Sequence, residues 1–423
     1  MSPTKSPGFL HFYGQLLAES HSRFAIVQED GEFNEIPLTL LTLYHLGIRD
    51  QALVRRTYHA LAYTCSLWTL SPAPITNEDL YRGRHSYQRA FVDYFALTFL
   101  HNNFSKACIR HLLFGGERPL IYGLFPGRGL SMFGQPLVTL ADSLDLFNQG
   151  AHHNTPGNNG LFVGSLLMSE ALGQAATSWT GDLFELLSCP TTPSGAPAVS
   201  TLLSPEEVLD RVAFDGRFSG IMRAGPGFYR VDDVLKNPAV RGAVVGYLRR
   251  TELRLDDGSI ADMAYLAASL LATTHVPGRV AFDYFLTQLP TYVWSARVLM
   301  TRLGPALSAG DRLALLRMLW CVVLLTYVTQ LRPRRNADLL LAGDVAEEYR
   351  GWEEMFEEVR QQQAMGSGSV VFMRALVSLR RLDRVFRGLH GHLYLKAGWK
   401  LVKSWEGWTG LGQAGEVTMN VRL

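Results

Sequence analysis

The side chains with the clearest chemical potential lie in one segment, residues 133–145, which reads FGQPLVTLADSLD. A helix here would place Gln135 and Thr139 one turn apart on the same face. Asp142 and Asp145 follow about two and three turns after Gln135. A buried carboxylate can act as a general base, because desolvation raises its pKa. We therefore predict Gln135, Thr139 and Asp142 as catalytic residues and Asp145 as a substrate-binding residue.

Other chemical motifs give little support for a second kind of site. His152 and His153 are adjacent in a loop rich in Gly and Asn, and His390 and His392 are separated by one glycine. Neither pair has a third donor at a metal-ligand spacing such as HExxH, so we expect surface or hydrogen-bonded histidines. The glycine-containing turn at 125–130 lacks GxGxxG, and no GxxxxGK[ST] or GxSxG motif occurs. A dinucleotide site, and with it a tightly bound flavin, is unsupported.

Composition and charge indicate a folded protein with an apolar bias. The 423 residues are 47% hydrophobic and 18% charged, with a net charge of +2, so no bulk field favours nucleic acid or a membrane surface. Four cysteines without a CxxC pair fit a reducing compartment, and the N-terminus lacks an apolar signal region. The longest apolar run, 318–328, is too short to span a bilayer. We expect a cytoplasmic protein with no nucleic-acid or membrane partner, and the oligomeric state is open.

Helical periodicity dominates the chain and predicts an all-α fold with short loops and little β-structure. Ser204, followed by Pro205 and an acidic pair, predicts a helix start, and Thr76 with Asp79 predicts a capping box. Strand-like alternation is confined to 23–27 and 416–421, and loops are predicted at 150–160, 189–204 and 361–369. None of these loops resembles a linker, so we predict a single domain over 1–423. The predicted helices cover 38–46, 53–67, 87–113, 137–147, 161–172, 261–271, 282–299, 313–331 and 370–386.

Six ordered fragments, spread over about 34–387, resemble the questin oxidase-like family. The segment 135–145 takes the place of a His-Pro-Leu-Ile-His run in that family, and 34–47 (NEIPLTLLTLYHLG) is similar to its opening helix. No single fragment is specific, but six in the right order favour the family's fold. The other four are ITNEDL at 75–80 with the aromatic residues that follow it, DYFLTQLPT at 283–291, the late helix 316–333, and VVFMRAL at 370–376.

The resemblance implies an oxidative activity and a metal. Family members are linked to natural-product pathways, and their type reaction is oxidative ring opening of anthraquinone-like polyketides. It also implies a nonheme iron held by histidines and a carboxylated lysine. Carried over position by position, the histidines correspond to Glu35, Leu38, Gln135, Thr139 and Gln288, and the lysine to Val371.

This chain departs from the implied ligand set at every position. Amide and hydroxyl oxygens are weak ligands for divalent iron, and hydrocarbon side chains offer no donor. Glu35 alone is a strong ligand type, so we predict no catalytic metal. The former metal cavity would then be an apolar pocket lined by a few neutral hydrogen-bonding groups. We predict Gln288 and Tyr292 as further catalytic residues, and Asn34, Leu38 and Val371 as further substrate-binding residues.

Three functions remain open. The first is a metal-free tailoring enzyme that catalyses a cyclisation, isomerisation or pericyclic step on a polyketide-like or polycyclic substrate, with no cofactor. The second is an oxygenase of the Baeyer–Villiger or ring-cleaving type, which would use iron or NADPH. The third is a non-catalytic binding protein that kept the fold. All three expect a small, apolar molecule as the partner.

Overall fold

The computed structural model describes residues 7–125, 134–152, 160–188, 202–219, 231–274, 282–336, 351–364, 369–405 and 407–410. Its helices confirm the all-α fold. They are α1 (Pro7–Arg23), α2 (Ile36–Leu46), α3 (Gln51–Thr64), α4 (Glu78–Tyr81), α5 (Gln88–His101), α6 (Lys106–Phe114), α7 (Gln135–His152), α8 (Gly160–Thr177), α9 (Gly181–Ser188), α10 (Pro205–Phe214), α11 (Val231–Lys236), α12 (Pro238–Arg250), α13 (Asp257–Thr273), α14 (Leu289–Leu303), α15 (Ala309–Thr329), α16 (Trp352–Ala364), α17 (Val370–His390) and α18 (Leu393–Ser404).

Two short strands, β1 (Phe282–Asp283) and β2 (Trp408–Thr409), pair in parallel. They are the only strands among the described residues. The predicted strand at 23–27 is wrong, since this segment forms only isolated bridges, from Phe24 to Leu67 and from Val27 to Phe33. The predicted strand at 416–421 lies outside the described residues. Strand structure is therefore minor, as predicted.

One predicted helix, 87–113, is wrong because it is two helices, α5 and α6. The segment between them contains Asn103 and Phe104, which both adopt the left-handed region, with φ of 49° and 51°. The Phe104 ring then packs against Phe99 and Phe147, at centroid distances of 5.7 and 5.5 Å. The packing of Phe104 accompanies a conformation that non-glycine residues rarely adopt.

Other boundaries move by smaller amounts. The predicted helix at 282–299 begins only at Leu289, after β1, and the one at 53–67 ends at Thr64. The predicted loop at 361–369 is wrong at its start, because α16 continues to Ala364. The predicted helix start at Ser204 is confirmed, and this residue also forms a capping box with Glu207. The capping box predicted at Thr76 is wrong, because α4 is capped by Asn77. The predicted loop at 150–160 is wrong at both ends, because α7 continues to His152 and α8 begins at Gly160. Residues 153–159, and residues 189–201 of the predicted loop at 189–204, lie outside the described part.

The chain divides into two compact units. The first comprises Met1–Thr180 and Ser295–Asp311, and the second comprises Gly181–Trp294 and Arg312–Leu423. The single domain over 1–423 stays a prediction. Cys65, Cys108 and Cys321 are free thiols, as expected, whereas Cys189 lies outside the described residues.

In the first unit, α7 packs on α8, which is buried along most of its length. Gly164 lets the two helices approach closely. A Cβ atom added there would lie 2.9 Å from the carbonyl oxygen of Ser143 and 2.9 Å from the backbone nitrogen of Phe147. The packing thus fixes the face of α7 that carries the predicted site residues.

The second unit is built on α13, α17 and α18. Asp383 on α17 is fully buried and accepts hydrogen bonds from Trp352 Nε1 (2.8 Å) and from Arg387. One described helix, α15, is long and apolar enough to cross a membrane, but 78% of its most apolar window is buried inside the protein. This helix includes the apolar run at 318–328.

Candidate functional site

The segment that carries the predicted site residues forms a helix, α7, and the face with these residues is buried. Gln135 and Thr139 are 0% and 1% exposed, and Asp142 is 1% exposed. The Nε2 atom of Gln135 donates a hydrogen bond to the carbonyl oxygen of Asn34 at 2.7 Å. The other Gln135 atom, Oε1, and the Thr139 hydroxyl have no hydrogen-bond partner among the described residues. Two buried oxygens one turn apart are thus left available.

The hydroxyl of Thr139 lacks a hydrogen bond that three other buried helical threonines in this chain make. Thr42, Thr177 and Thr273 each donate a hydrogen bond to the carbonyl oxygen four residues earlier, at 2.7 to 2.8 Å. Such local bonds are the usual way to satisfy a hydroxyl inside a helix. Thr139 makes no such bond, and neither does Thr326 on α15, whose buried hydroxyl also has no partner among the described residues.

Asp142 lies opposite a histidine that sequence reasoning missed. The Oδ1 atom of Asp142 is 3.4 Å from Nε2 of His45, and both side chains are almost fully buried. His45 belongs to α2 and lies seven residues after Leu38, so both residues are on one helix face. That spacing was the available signal. The contact pairs a carboxylate with an imidazole in a buried setting.

A second acid lies at the start of α2. Burial raises the pKa of Glu35, and the neighbouring carboxylate of Glu32 raises it further. Burial also raises the pKa of the Cys65 thiol to about 11, with a smaller contribution from Glu35. The Cys65 thiol donates a weak hydrogen bond to Asn34 Oδ1 at 3.6 Å. Glu35 therefore has an environment that favours its protonated form.

The other predicted residues of the first unit have structural contacts. Asp145 binds Arg302 through a 2.7 Å contact between Oδ1 and Nε. Leu38 is 1% exposed within the core, and Asn34 Oδ1 accepts a hydrogen bond from the backbone of Ile36 at 3.0 Å. These contacts account for the polar groups of Asp145 and Asn34 without a ligand. Their substrate-binding roles stay predictions.

The remaining predicted residues belong to the second unit. Gln288 and Tyr292 are both fully buried, and the Tyr292 hydroxyl donates a hydrogen bond to Gln288 Oε1. Gln288 Nε2 donates to the carbonyl oxygen of Tyr284 at 3.3 Å. Val371 is 2% exposed on α17. Gln288 and Tyr292 are therefore in contact with each other, and their catalytic roles stay predictions.

The residues at the implied iron positions do not fit iron. The Gln135 amide nitrogen is engaged by Asn34, the Gln288 oxygen by Tyr292, and Leu38 and Val371 have no donor atom. Throughout the described ranges, no group of three or more His, Cys, Asp or Glu side chains is placed to hold a metal ion. Divalent iron needs several imidazole or carboxylate ligands. The side chains at these positions therefore do not form an iron site.

One family of known proteins matches most of the chain. The family model described as questin oxidase-like matches residues 33–376, so the match starts where the sequence resemblance was expected and ends before 387. No curated protein matches the chain. The family match suggests an enzyme of secondary metabolism, and it is equally consistent with oxidative and redox-neutral tailoring. The chain belongs to the questin oxidase-like family.

Proposed function

We propose that this protein is a natural-product tailoring enzyme that rearranges a polyketide-like or polycyclic substrate without a resident metal. The reaction class is cyclisation, isomerisation or a pericyclic step. One observation carries the proposal: the buried oxygens of Gln135 and Thr139 lack partners on the helix face that also presents Asp142 to His45.

The two unpaired oxygens support a binding role because they are unfavourable for folding alone. A buried polar atom without a hydrogen bond costs about 1–3 kcal/mol, and such atoms are rare in native proteins. Because Gln135 Nε2 is engaged by Asn34, its Oε1 can only accept. A substrate hydroxyl or N–H would satisfy it. Thr139 can donate or accept, so the pair would orient a polar edge of a largely apolar molecule.

His45 and Asp142 support proton transfer. In the proposed reaction the pair takes a proton from one position of the substrate and returns a proton at another. The electron pair released by the first step forms the new bond within the substrate, so no electrons enter or leave and no oxidant is needed. Holding the reacting atoms together supplies several kcal/mol of the barrier reduction.

Glu35 provides an alternative acid in the same unit. Burial raises its pKa above the usual value for a glutamate, which favours the protonated carboxyl that can donate a hydrogen bond or a proton. In the second unit, we propose Gln288 and Tyr292 as catalytic residues that act through hydrogen bonds, with Val371 as an apolar contact for substrate. These roles extend the proposal and do not carry it.

The competing function is an oxygenase of the Baeyer–Villiger or ring-cleaving type. The family match favours it equally, since the family's type reaction is oxidative. In that case iron or NADPH would take part, and the product would gain oxygen. The non-catalytic alternative predicts binding of the same molecules without any product.

Product mass separates the three functions. Purified protein is incubated with hydroxylated polycyclic ketones, with and without oxygen and NADPH, and its metal content is measured by inductively coupled plasma mass spectrometry. We expect an isomer or a dehydrated product, formed equally without oxygen or NADPH and in the presence of a chelator. Near-stoichiometric iron, with turnover lost on chelation, or a product that gains oxygen, would overturn the proposal. Binding without turnover would also overturn the proposal and would support the non-catalytic alternative.

Two matched substitutions test the site itself. Thr139→Val removes a hydroxyl without an intramolecular partner, so turnover should fall at least tenfold while stability is unchanged or rises by about 1 kcal/mol. Thr42→Val is the control, because the Thr42 hydroxyl is equally buried but donates to the carbonyl oxygen of Leu38. It should lose about 1 kcal/mol of stability and keep its turnover. Equal turnover in both variants would remove Thr139 from the site.

A further inference from the structure

The second unit contains a cavity that none of the proposed catalytic residues lines. Its volume is about 330 Å³, at the lower end of the range typical of small-molecule sites. Apolar walls come from Leu186 on α9, Leu248 on α12 and Leu313 on α15, and Trp320 also lines the cavity. The cavity therefore suits a compact apolar group.

The polar part of the cavity is firmly held. Trp320 Nε1 donates a hydrogen bond to Thr251 Oγ1 at 2.8 Å, and that hydroxyl donates to the carbonyl oxygen of Tyr247 at 2.8 Å. Leu203 pairs with the same segment through backbone bonds of 2.8 Å to Arg250 and from Glu252. These bonds fix the cavity wall before any ligand binds, which reduces the entropy lost on binding.

Charged side chains give the cavity a net positive lining. Arg249 and Arg317 contribute guanidinium groups, and Glu252 contributes one carboxylate. Arg317 is exposed and has no hydrogen-bond or ion-pair partner within the part of the chain that the structure describes. An unpaired guanidinium beside an apolar cavity is suited to a carboxylate, which it can bind through two parallel hydrogen bonds.

We propose that this cavity binds a small organic anion with an apolar body, a monocarboxylate, whose carboxylate meets Arg317 and whose hydrocarbon part occupies the space beside Leu248 and Trp320. None of the residues that line the cavity belongs to the polar face of α7, so this proposal is tested independently of the proposed function. Glu252 limits the affinity by repelling the ligand carboxylate. Removal of the Glu252 charge and removal of the Arg317 charge should therefore change the affinity in opposite directions.

Binding is measured by isothermal titration calorimetry with octanoate as the probe and octanol as its neutral counterpart. The native protein should bind octanoate more tightly than octanol. Arg317→Gln should weaken octanoate binding about fivefold, the upper range for an exposed ion pair, and leave octanol unchanged. Glu252→Gln should strengthen octanoate binding, because it removes a repulsive charge.

Two further variants locate the ligand. Arg250→Gln removes a neighbouring cation that does not line the cavity, so octanoate affinity should stay close to that of the native protein. Leu248→Trp fills the cavity and should abolish binding of both probes, with folding verified by an unchanged circular dichroism spectrum. The proposal fails if octanoate does not bind, if Arg250→Gln and Arg317→Gln weaken it equally, or if Leu248→Trp leaves it unaffected.

Discussion

Replacement of Gly164 by alanine tests the helix contact that positions the candidate site. The added Cβ would lie 2.9 Å from two backbone atoms of α7, whereas favourable contacts between carbon atoms are about 3.5 Å or longer. The helices must separate by about half an ångström or more, and neither neighbour is a flexible side chain that could turn away. Overpacking of this kind costs up to about 3 kcal/mol.

The helix itself partly offsets that penalty, because alanine is favoured over glycine by about 1 kcal/mol inside a helix. Gly164→Ala should therefore lower the free energy of unfolding by about 2 kcal/mol. Gly246→Ala in α12 is the matched control, since its Cβ would meet nothing within 4 Å. It adds the same atoms without a clash and should raise stability by up to about 1 kcal/mol.

Thermal unfolding followed by far-ultraviolet circular dichroism measures both variants against the native protein. Gly164→Ala should lower the Tm, whereas Gly246→Ala should keep or raise it. Hydrogen exchange should also become faster in peptides from α7 for Gly164→Ala. Equal Tm values for Gly164→Ala and the native protein would refute the close approach of α7 and α8, and with it the fixed position of the site.

Three further predictions concern ionisable and capping groups. Hydrogen bonds from Arg217 lower the pKa of Asp215 from 3.8 to about 2. A carboxyl with a depressed folded-state pKa stabilises the fold above pH 3.8 and loses that contribution as the pH falls toward 2. Asp215→Asn should therefore reduce the Tm at pH 7, and its Tm should converge with that of the native protein near pH 2. Burial raises the pKa of Glu35, so ionisation of this carboxyl destabilises the fold as the pH rises above the unfolded-state pKa. Glu35→Gln should therefore increase the Tm at pH 8 but not at pH 4. An equal change in Tm at pH 8 and at pH 4 would contradict this prediction. Ser204→Ala removes the capping box with Glu207 and should cost about 1 kcal/mol in chemical denaturation, with no loss indicating that α10 starts elsewhere.

The sequence predicted the helices and the buried polar face of α7 because both depend on local periodicity. It could not predict the break after α5, since the left-handed conformation of Phe104 accompanies packing against Phe147, which lies in a distant helix. The β1 segment was expected to be helical for a similar reason, because its partner Trp408 is far along the chain. Local patterns do not contain such long-range pairings.

The candidate site shows the same division between local and distant information. Gln135 and Thr139 were found by their helical spacing, but their missing hydrogen bonds became visible only in three dimensions. His45 was overlooked because its sequence signal, the seven-residue spacing from Leu38, had no evident meaning until its neighbour Asp142 was known.

The hydrogen bond from Gln135 to the carbonyl oxygen of Asn34 also marks where an artificial metal centre could be engineered. A coordinating imidazole usually donates its remaining ring N–H to a carboxylate or backbone carbonyl, which fixes its orientation. An acceptor of this kind already lies 2.7 Å from a side-chain nitrogen at position 135. Position 139 is one turn away, the i, i+4 spacing of a two-histidine clamp. The double exchange Gln135→His and Thr139→His is thus the best starting point for designing zinc or copper binding into this scaffold.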